Sequence, residues 1–409
     1  MVVYGGPVIL GRARPRPLAV NAAAASLAVA VALAACTGGD PAARQPSTAG
    51  APPSSGAASR VPSAPTPAPA VAGAPAALTS LVERLYSGAE LGRSATAATR
   101  KALEGRRPGG AAIPTGAEAK VGSWFGTPVA VVTAGEDVTL AVGPAWRLVG
   151  GWWPSLGVAA AVTGGGPRWV LAVGSDARRG QPLERSRADT LQVIGVDGKG
   201  GGGVMGIARD LWVPLSTGGK GKINSAMPVG GPEGQLATVR AATGLPIEGY
   251  AVIGFAGFIQ LVDDQGGLKI VVPQTVDASH AHLVIQKGAQ TLSGKEALAY
   301  ARERKTLPDG DLGRSRHQGE VLLAAAVQAK LAGPGAIPAA LTSFSKVGAS
   351  DLSAEEMLTF AAALHRVNPT KVGRDVAGGP FGWAGSQSIV VLGDQARRLF
   401  ASFDDGNLS

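Results

Sequence analysis

The chain has 409 residues, 45% of them hydrophobic and 16% charged, with 60 glycines and 29 prolines. That length and apolar content suit a globular body, whereas the glycine and proline load predicts long loops and one stretch unable to pack. A single cysteine excludes an internal disulfide, and a net charge of +9 points to an anionic partner without choosing among nucleic acid, lipid headgroup and phosphosugar.

Arg12, Arg14 and Arg16 precede an apolar stretch from Leu18 to Ala35, which ends in Leu33-Ala34-Ala35-Cys36. A basic leader, an apolar run and small residues before a cut point read as an export signal over residues 1–36. The ending resembles a bacterial lipobox, in which Cys36 is lipidated and becomes the mature N-terminus. An uncleaved transmembrane anchor is the alternative, because the run is nearly long enough to span a bilayer. Both readings place the remaining chain on the extracytoplasmic face of the cell membrane. Residues 37–77 are Pro, Ala, Ser, Gly and Thr with almost no large apolar side chain, too little to offset ordering entropy, and read as a tether.

Leu78, Leu81, Val82 and Leu85 fall at helical spacing and predict an amphipathic helix over Ala77 to Leu91. β-type runs follow at 129–133, 138–142 and 146–153, separated by glycine-containing turns. Residues 78–166 thus read as a small accessory β-rich module. Trp146, Trp152 and Trp153 could line a sugar site, but aromatics in short strands ordinarily pack.

The densest chemistry begins next. An apolar strand, 169–173, breaks at Gly174 and delivers Asp176 and Arg178 onto a loop, and a second apolar run starts directly after Arg187-Ala188-Asp189. Residues two apart on an extended chain point the same way, so Arg187 and Asp189 share a side. Carboxylates and arginines meeting at neighbouring strand ends suit a divalent cation with a polyanion. Two loops whose charges simply pair with each other are the plainer reading. A strand from Val204 then exposes Arg209-Asp210, with Lys222-Ile223-Asn224 in a Gly-rich loop. The glycines between 195 and 206 join two strands and carry no phosphate-loop pattern. A helix over Glu233 to Thr243 closes at Gly244. The block from Tyr250 to Val262 reads as core.

Ser293 and Glu296 fit a capping box, and Pro308 with Gly310 ends that helix near Arg302 and Arg304, which lets the two converge. Asp311 suits the cap of a new helix, on which Arg314 and Gln318 are an i,i+4 pair. That helix runs to about Leu331. A second Ser-x-x-Glu cap at Ser353, a strand at 388–392 and a helix at 394–403 close the chain. Strands and helices sharing one apolar core give an α/β (α+β) domain with a core over 167–332, completed by C-terminal helices and a strand over 333–409.

In this order, Val173-Gly174-Ser175-Asp176, Arg187-Ala188-Asp189-Thr190, Ile207-Ala208-Arg209-Asp210, Lys222-Ile223-Asn224, Val262-Asp263 with Gly266-Gly267, Ala299-Tyr300-Ala301-Arg302-Glu303-Arg304, and Asp311-Leu312-Gly313-Arg314 with Gln318 resemble the LytR-CpsA-Psr family over about residues 168–332. The resemblance implies a mixed central sheet flanked by helices with an apolar pocket for a polyprenyl chain. It also implies an extracytoplasmic phosphotransferase that moves a glycopolymer from an undecaprenyl-pyrophosphate carrier onto peptidoglycan. Carried over by residue, Asp176 and Asp189 are the acidic pair that holds Mg²⁺. Arg187, Arg209, Arg302, Arg304, Arg314 and Gln318 form the pyrophosphate set, with Arg187 and Arg209 also catalytic. Phe255, Phe258 and Ile259 suit either the lipid tunnel or ordinary packing. His317 stands where the family often has Arg, which questions a fixed charge there, and Gly206 and Ala208 replace the family's Ser and Pro. Two alternatives remain open: a polyprenyl-phosphate binding protein or sensor without turnover, and a polyprenyl-pyrophosphate hydrolase. A nucleic-acid partner is disfavoured by the export signal and by the lack of a helix-turn-helix or basic zipper.

Overall fold

The computed structural model describes residues 70–408 except 108, 111 and 178–180. The export signal, Cys36, residues 37–69 of the expected tether and Arg178 therefore lie outside the described residues. The last part of the expected tether, up to residue 77, is instead packed: Val71 is fully buried, Ala72 bridges to Glu118, and a helix starts at Ala76, because these residues add to the edge of the N-terminal sheet.

The N-terminal sheet contains β1 (Glu118–Trp124), β2 (Thr127–Ala134), β3 (Asp137–Val142), β4 (Arg147–Trp153) and β5 (Val158–Val162), all antiparallel neighbours in chain order. Next come β6 (Arg168–Ser175), β7 (Ala188–Val196), β8 (Gly202–Ile207), β9 (Leu211–Pro214), β10 (Lys220–Lys222) and β11 (Gly249–Gly254). The later strands are β12 (Leu268–Val272), β13 (Val276–Ala278), β14 (Leu283–Ile285), β15 (Gly288–Leu292), β16 (Gly348–Ser350), β17 (Val372–Ala377), β18 (Phe381–Ala384) and β19 (Gln387–Val391). The helices are α1 (Ala76–Ser87), α2 (Ala97–Leu103), α3 (Ala226–Thr243), α4 (Phe255–Asp264), α5 (Gly294–Arg302), α6 (Asp311–Ala332), α7 (Ile337–Ser345), α8 (Ala354–Arg366) and α9 (Asp394–Ser402).

A mixed six-stranded sheet, β16-β11-β6-β7-β8-β17, is the centre of the fold. β11 and β6 run parallel, β7 runs against β6 and β8, and β17 runs parallel to β8. The carboxyl ends of β6, β8, β11 and β17 and the start of β7 therefore lie along one edge. Alternation along these strands divides their side chains between two cores. Leu171, Val173, Val193 and Met205 pack toward α3 and α9, while Val170, Ala172, Ile194 and Val204 pack toward α4, α5, α6 and α8.

The N-terminal sheet shares the second of these cores. Val129, Val131, Leu140 and Trp152 join it, while Ala130, Val132, Leu148 and Trp153 face α1 and α2. The Trp124 indole donates to the Leu352 carbonyl at 2.7 Å and its ring stacks on Phe344 at 5.4 Å, so α7 and α8 are sandwiched between two sheets. Trp146, Trp152 and Trp153 are buried in this packing.

Local signals account for many boundaries. Both capping boxes, Ser293 with Glu296 and Ser353 with Glu356, are formed. Gly244 closes α3 in the left-handed conformation. The glycine-rich stretch after β7 is a hairpin, with Gly195 opposite Gly203. A Cβ on either would lie within 2.7 Å of the Phe403 ring, so the glycines admit that aromatic against the sheet. The block read as uniform core instead splits, with β11 ending at Gly254 and α4 starting at Phe255.

Candidate functional site

Of the charged motif residues, Asp176, Asp189, Arg209, Arg304, Asp311 and Arg314 gather on the sheet edge described above, whereas the Arg187 side chain is exposed and Asp263 accepts the Gly294 N–H at 2.7 Å at the start of α5. Asp176 leaves β6 and is fixed by two backbone bonds across the loop mouth. The Arg187 N–H donates to its Oδ1 at 2.7 Å, and its own N–H donates to the Arg187 carbonyl at 3.0 Å. Asp189, at the start of β7, accepts from the Arg209 guanidinium at 2.7 Å. Arg209 follows β8 and is held from behind, because the Asn224 N–H donates to its carbonyl at 3.2 Å while Lys222 pairs with Asp210 at 3.1 Å.

Asp311 does not cap α6. The N-cap residue is Gly310, and no side chain caps it. Asp311 is instead the acidic hub of the arginine cluster, at 3.2 Å from Arg209, 3.4 Å from Arg304 and 3.4 Å from Arg314. The preference of aspartate for a helix start hid this role, because its partners lie on three different elements. The available signal was a carboxylate set among four arginine positions, 302, 304, 314 and 316.

Burial and charge set the protonation states. Burial pushes the Asp311 carboxyl up, but Arg314, Arg209 and Arg304 outweigh it and hold the group below the usual carboxylate range. Burial would lower Arg209, yet Asp189 and Asp311 raise it above the ordinary guanidinium. Asp176 is displaced upward, first by burial and then by the charge of Asp189. Arg302 lies with its guanidinium carbon 5.1 Å from the Phe255 ring centre. The Nε atoms of Arg302 and Arg314 and the Thr190 hydroxyl are buried without a protein partner. Buried donors of this kind cost about 1–3 kcal/mol each unless a ligand or water engages them.

Other motif residues have structural work. Gln318 is buried; it donates to the Ala301 carbonyl at 3.3 Å and its Oε1 lies 3.4 Å from Gln192, tying α6 to α5 and β7. His317 stacks on Tyr300 at 4.2 Å with Nδ1 3.1 Å from the Tyr300 carbonyl, and burial lowers its pKa, so no fixed charge stands there. Arg316 pairs with Asp309. His280 belongs to no metal cluster among the described residues; it sits 2.9 Å from Glu303. Glu303 also accepts the N–H groups of Arg304 and Thr306, at 2.9 and 3.0 Å, which shapes the loop between the arginines. Phe258 is fully buried in the core. An apolar pocket of about 30 Å³ opens elsewhere, between Ile194, Val204, Leu322, Leu323, Val327 and Val367, and is not lined by Phe255, Phe258 or Ile259.

The donor chemistry at the acidic pair suits Mg²⁺. Asp176 and Asp189 each commit Oδ1 to a protein donor, and their mutual repulsion is of the kind a cation relieves. Two carboxylates are enough for an ion that keeps several waters and takes phosphate oxygens from its substrate.

A model described as the LytR_cpsA_psr family matches residues 158–390. The chain is 38% identical over 167 residues to the "Probable cell wall biosynthesis protein LcpB" of Corynebacterium glutamicum, covering 38% of this chain and 40% of that protein. It is 37% identical over 168 residues to the polyisoprenyl-teichoic acid–peptidoglycan teichoic acid transferase TagV of Bacillus subtilis, covering 38% of this chain and 42% of TagV. The chain thus spans about two fifths of the length of these relatives. The crystal structure of protein gbs0355 from Streptococcus agalactiae has the same fold, with a TM-score of 0.52 at 20% identity over 59% of this chain and 89% of that one.

Proposed function

We propose that this chain, which belongs to the LytR_cpsA_psr family, is a phosphotransferase that moves a glycopolymer from a polyprenyl-pyrophosphate carrier to peptidoglycan. We place it outside the membrane, tethered through Cys36 or an uncleaved N-terminal anchor. The observation that carries the reading is the edge where Asp176 and Asp189 meet Arg209, Arg304 and Arg314, with buried Nε donors on Arg302 and Arg314 left unused.

The pyrophosphate fits among these arginines, whose planar forks match phosphate oxygens. Asp311 holds three of them in place, so their orientation exists before substrate arrives. An acceptor sugar hydroxyl forms the new P–O bond to the phosphorus carrying the glycopolymer. The bond from that phosphorus to the bridging oxygen breaks, and polyprenyl monophosphate leaves. The guanidinium groups stabilise the charge gathering on the leaving oxygen. Asp176, whose carboxyl is pushed upward first by burial, takes the hydroxyl proton. Asp189 keeps its 2.7 Å pair with Arg209. Mg²⁺ held by Asp176 and Asp189 would supply further charge stabilisation on the phosphate oxygens.

The test incubates full-length protein with a polyprenyl-pyrophosphate-linked sugar, a peptidoglycan fragment and Mg²⁺, and follows joined product by mass spectrometry. The expected result is product that requires Mg²⁺ and vanishes in Asp189→Ala. Tight binding without product would replace the ligase with a carrier or sensor, and released lipid phosphate without joined sugar would replace it with a hydrolase.

A further inference from the structure

The four-stranded sheet β10-β9-β19-β18 has two edges of opposite character. β10 reads Lys-Gly-Lys, the ordinary protection of an open edge. β18 reads Phe-Gly-Trp-Ala, and its Phe381 and Trp383 are 69% and 75% exposed. Their side chains point the same way, two residues apart on one strand. Val391, on the paired strand, is exposed as well. Between Asp375 and Asp394 the chain carries no charged side chain, although residues 385–388 are all exposed. An uncharged edge strand with two bare aromatics is an association hazard in water, so a second phase or partner covers it.

Position says which. The hairpin follows β17, whose last carbonyl accepts the Ala208 N–H at 3.0 Å beside Arg209. Gly378, at its root, lies against Leu312, next to the Asp311 hub; a Cβ there would sit 2.7 Å from Leu312. The hairpin is therefore rooted beside the anion site. In sequence the hairpin is flanked by four cations, Lys371, Arg374, Arg397 and Arg398, of which Arg374 lies 3.9 Å from Glu320, against Asp375 and Asp394. An aromatic tip beside basic residues is the composition of the lipid–water interface. The N-terminal apolar run belongs to the same chain, and 33 residues, the length of 37–69, span at most about 120 Å at full extension, a length that does not by itself keep this face from a bilayer.

We propose that the β18–β19 hairpin seats Phe381 and Trp383 in the interface of an anionic bilayer, holding the anion site against the surface from which a lipid-borne pyrophosphate is drawn. The link to substrate delivery rests on the function proposed above; the membrane contact itself does not. Burying two aromatics adds affinity that grows with apolar area, and the flanking cations make it stronger on anionic lipid.

The test uses full-length protein on phosphatidylcholine–phosphatidylglycerol vesicles whose acyl chains are brominated, with tryptophan emission as the signal. Of the seven tryptophans five are buried and Trp212 is half-buried, so the difference between wild type and Trp383→Phe isolates Trp383. The expected result is bromolipid quenching of that difference signal, stronger with phosphatidylglycerol. No quenching overturns the proposal. A shift produced instead by soluble peptidoglycan fragments assigns the hairpin to a glycan, and a shift that follows protein concentration assigns it to a second copy; each also overturns it. In the transfer assay, Phe381→Asp with Trp383→Asp should slow reaction of a vesicle-borne carrier roughly tenfold and leave a water-soluble short-chain carrier unaffected. Equal slowing of both carriers places the hairpin in the site and overturns the interfacial role. Absence of transfer in wild type would refute the ligase and leave the quenching result standing.

Discussion

Arg168 and Arg314 are buried almost equally, at 6% and 8% exposed, yet they stand at opposite ends of the central sheet and are used differently. Arg168 begins β6 and spends every nitrogen. It grips Glu248 with two bonds of 2.7 and 2.6 Å, and its other donors go to Thr163, Thr359 and the Glu356 carbonyl at 2.8, 3.1 and 3.1 Å. Arg314 reaches Asp311 at only 3.4 Å and leaves Nε without a protein partner. Burial removes water from both groups, so the first arrangement closes its hydrogen-bond account within the fold and the second keeps capacity for a ligand. Saturation separates the two ends of the sheet more clearly than burial or charge does.

The contrast can be broken most severely at the acidic pair. Asp189→Ala should lower transfer at least a hundredfold, as single-turnover product formation would show, while circular dichroism stays native. Arg314→Met should cause a similar loss of activity with a smaller fall in the melting temperature than Arg168→Met, because Arg314 gives up a single 3.4 Å contact to Asp311, which keeps Arg209 and Arg304. Arg168→Met should do the reverse. Removing one partner of a saturated buried pair costs about 3 kcal/mol, read as a lower denaturation midpoint, and the folded fraction should retain its rate per molecule.

A smaller effect sharpens the comparison through pH. His365 stacks on Trp152 at 6.4 Å and its pKa is pushed down to about 4, first by burial and then by Lys330 and Arg366. The unfolded chain binds this proton near pH 6.5 and the folded chain does not, so stability falls as pH drops from about 6.5 toward 4. The loss should reach about 1–2 kcal/mol after allowing for partial exposure. His365→Gln should flatten that part of the melting-temperature profile. Last in size, Gly206→Ala would put a Cβ 2.2 Å from the Ser315 hydroxyl. It should cost about 1 kcal/mol in denaturant unfolding and be largely rescued by Ser315→Ala.

Sequence alone determined the features that depend on near neighbours. Both capping boxes, the end of α5 at Arg302, and the left-handed stop at Gly244 follow from interactions within a few residues. The motif order likewise marked Asp176, Asp189 and Arg209, which the sheet does bring together. Short elements such as α7 and β17 carry too few periods to be read locally, and their residues acquire a place only against β1 and β8. Asp311 read as a cap because two of its three partners, Arg209 and Arg304, stand outside α6, with Arg209 102 positions away. Gln318 read as a ligand-binding residue, whereas the packing of α6 on β7 spends its amide on Ala301 and Gln192. Local chemistry says which groups a residue can satisfy, and only the tertiary structure decides which partners are within reach, because hydrogen bonds and ion pairs are lost within an ångström or two of their optimum.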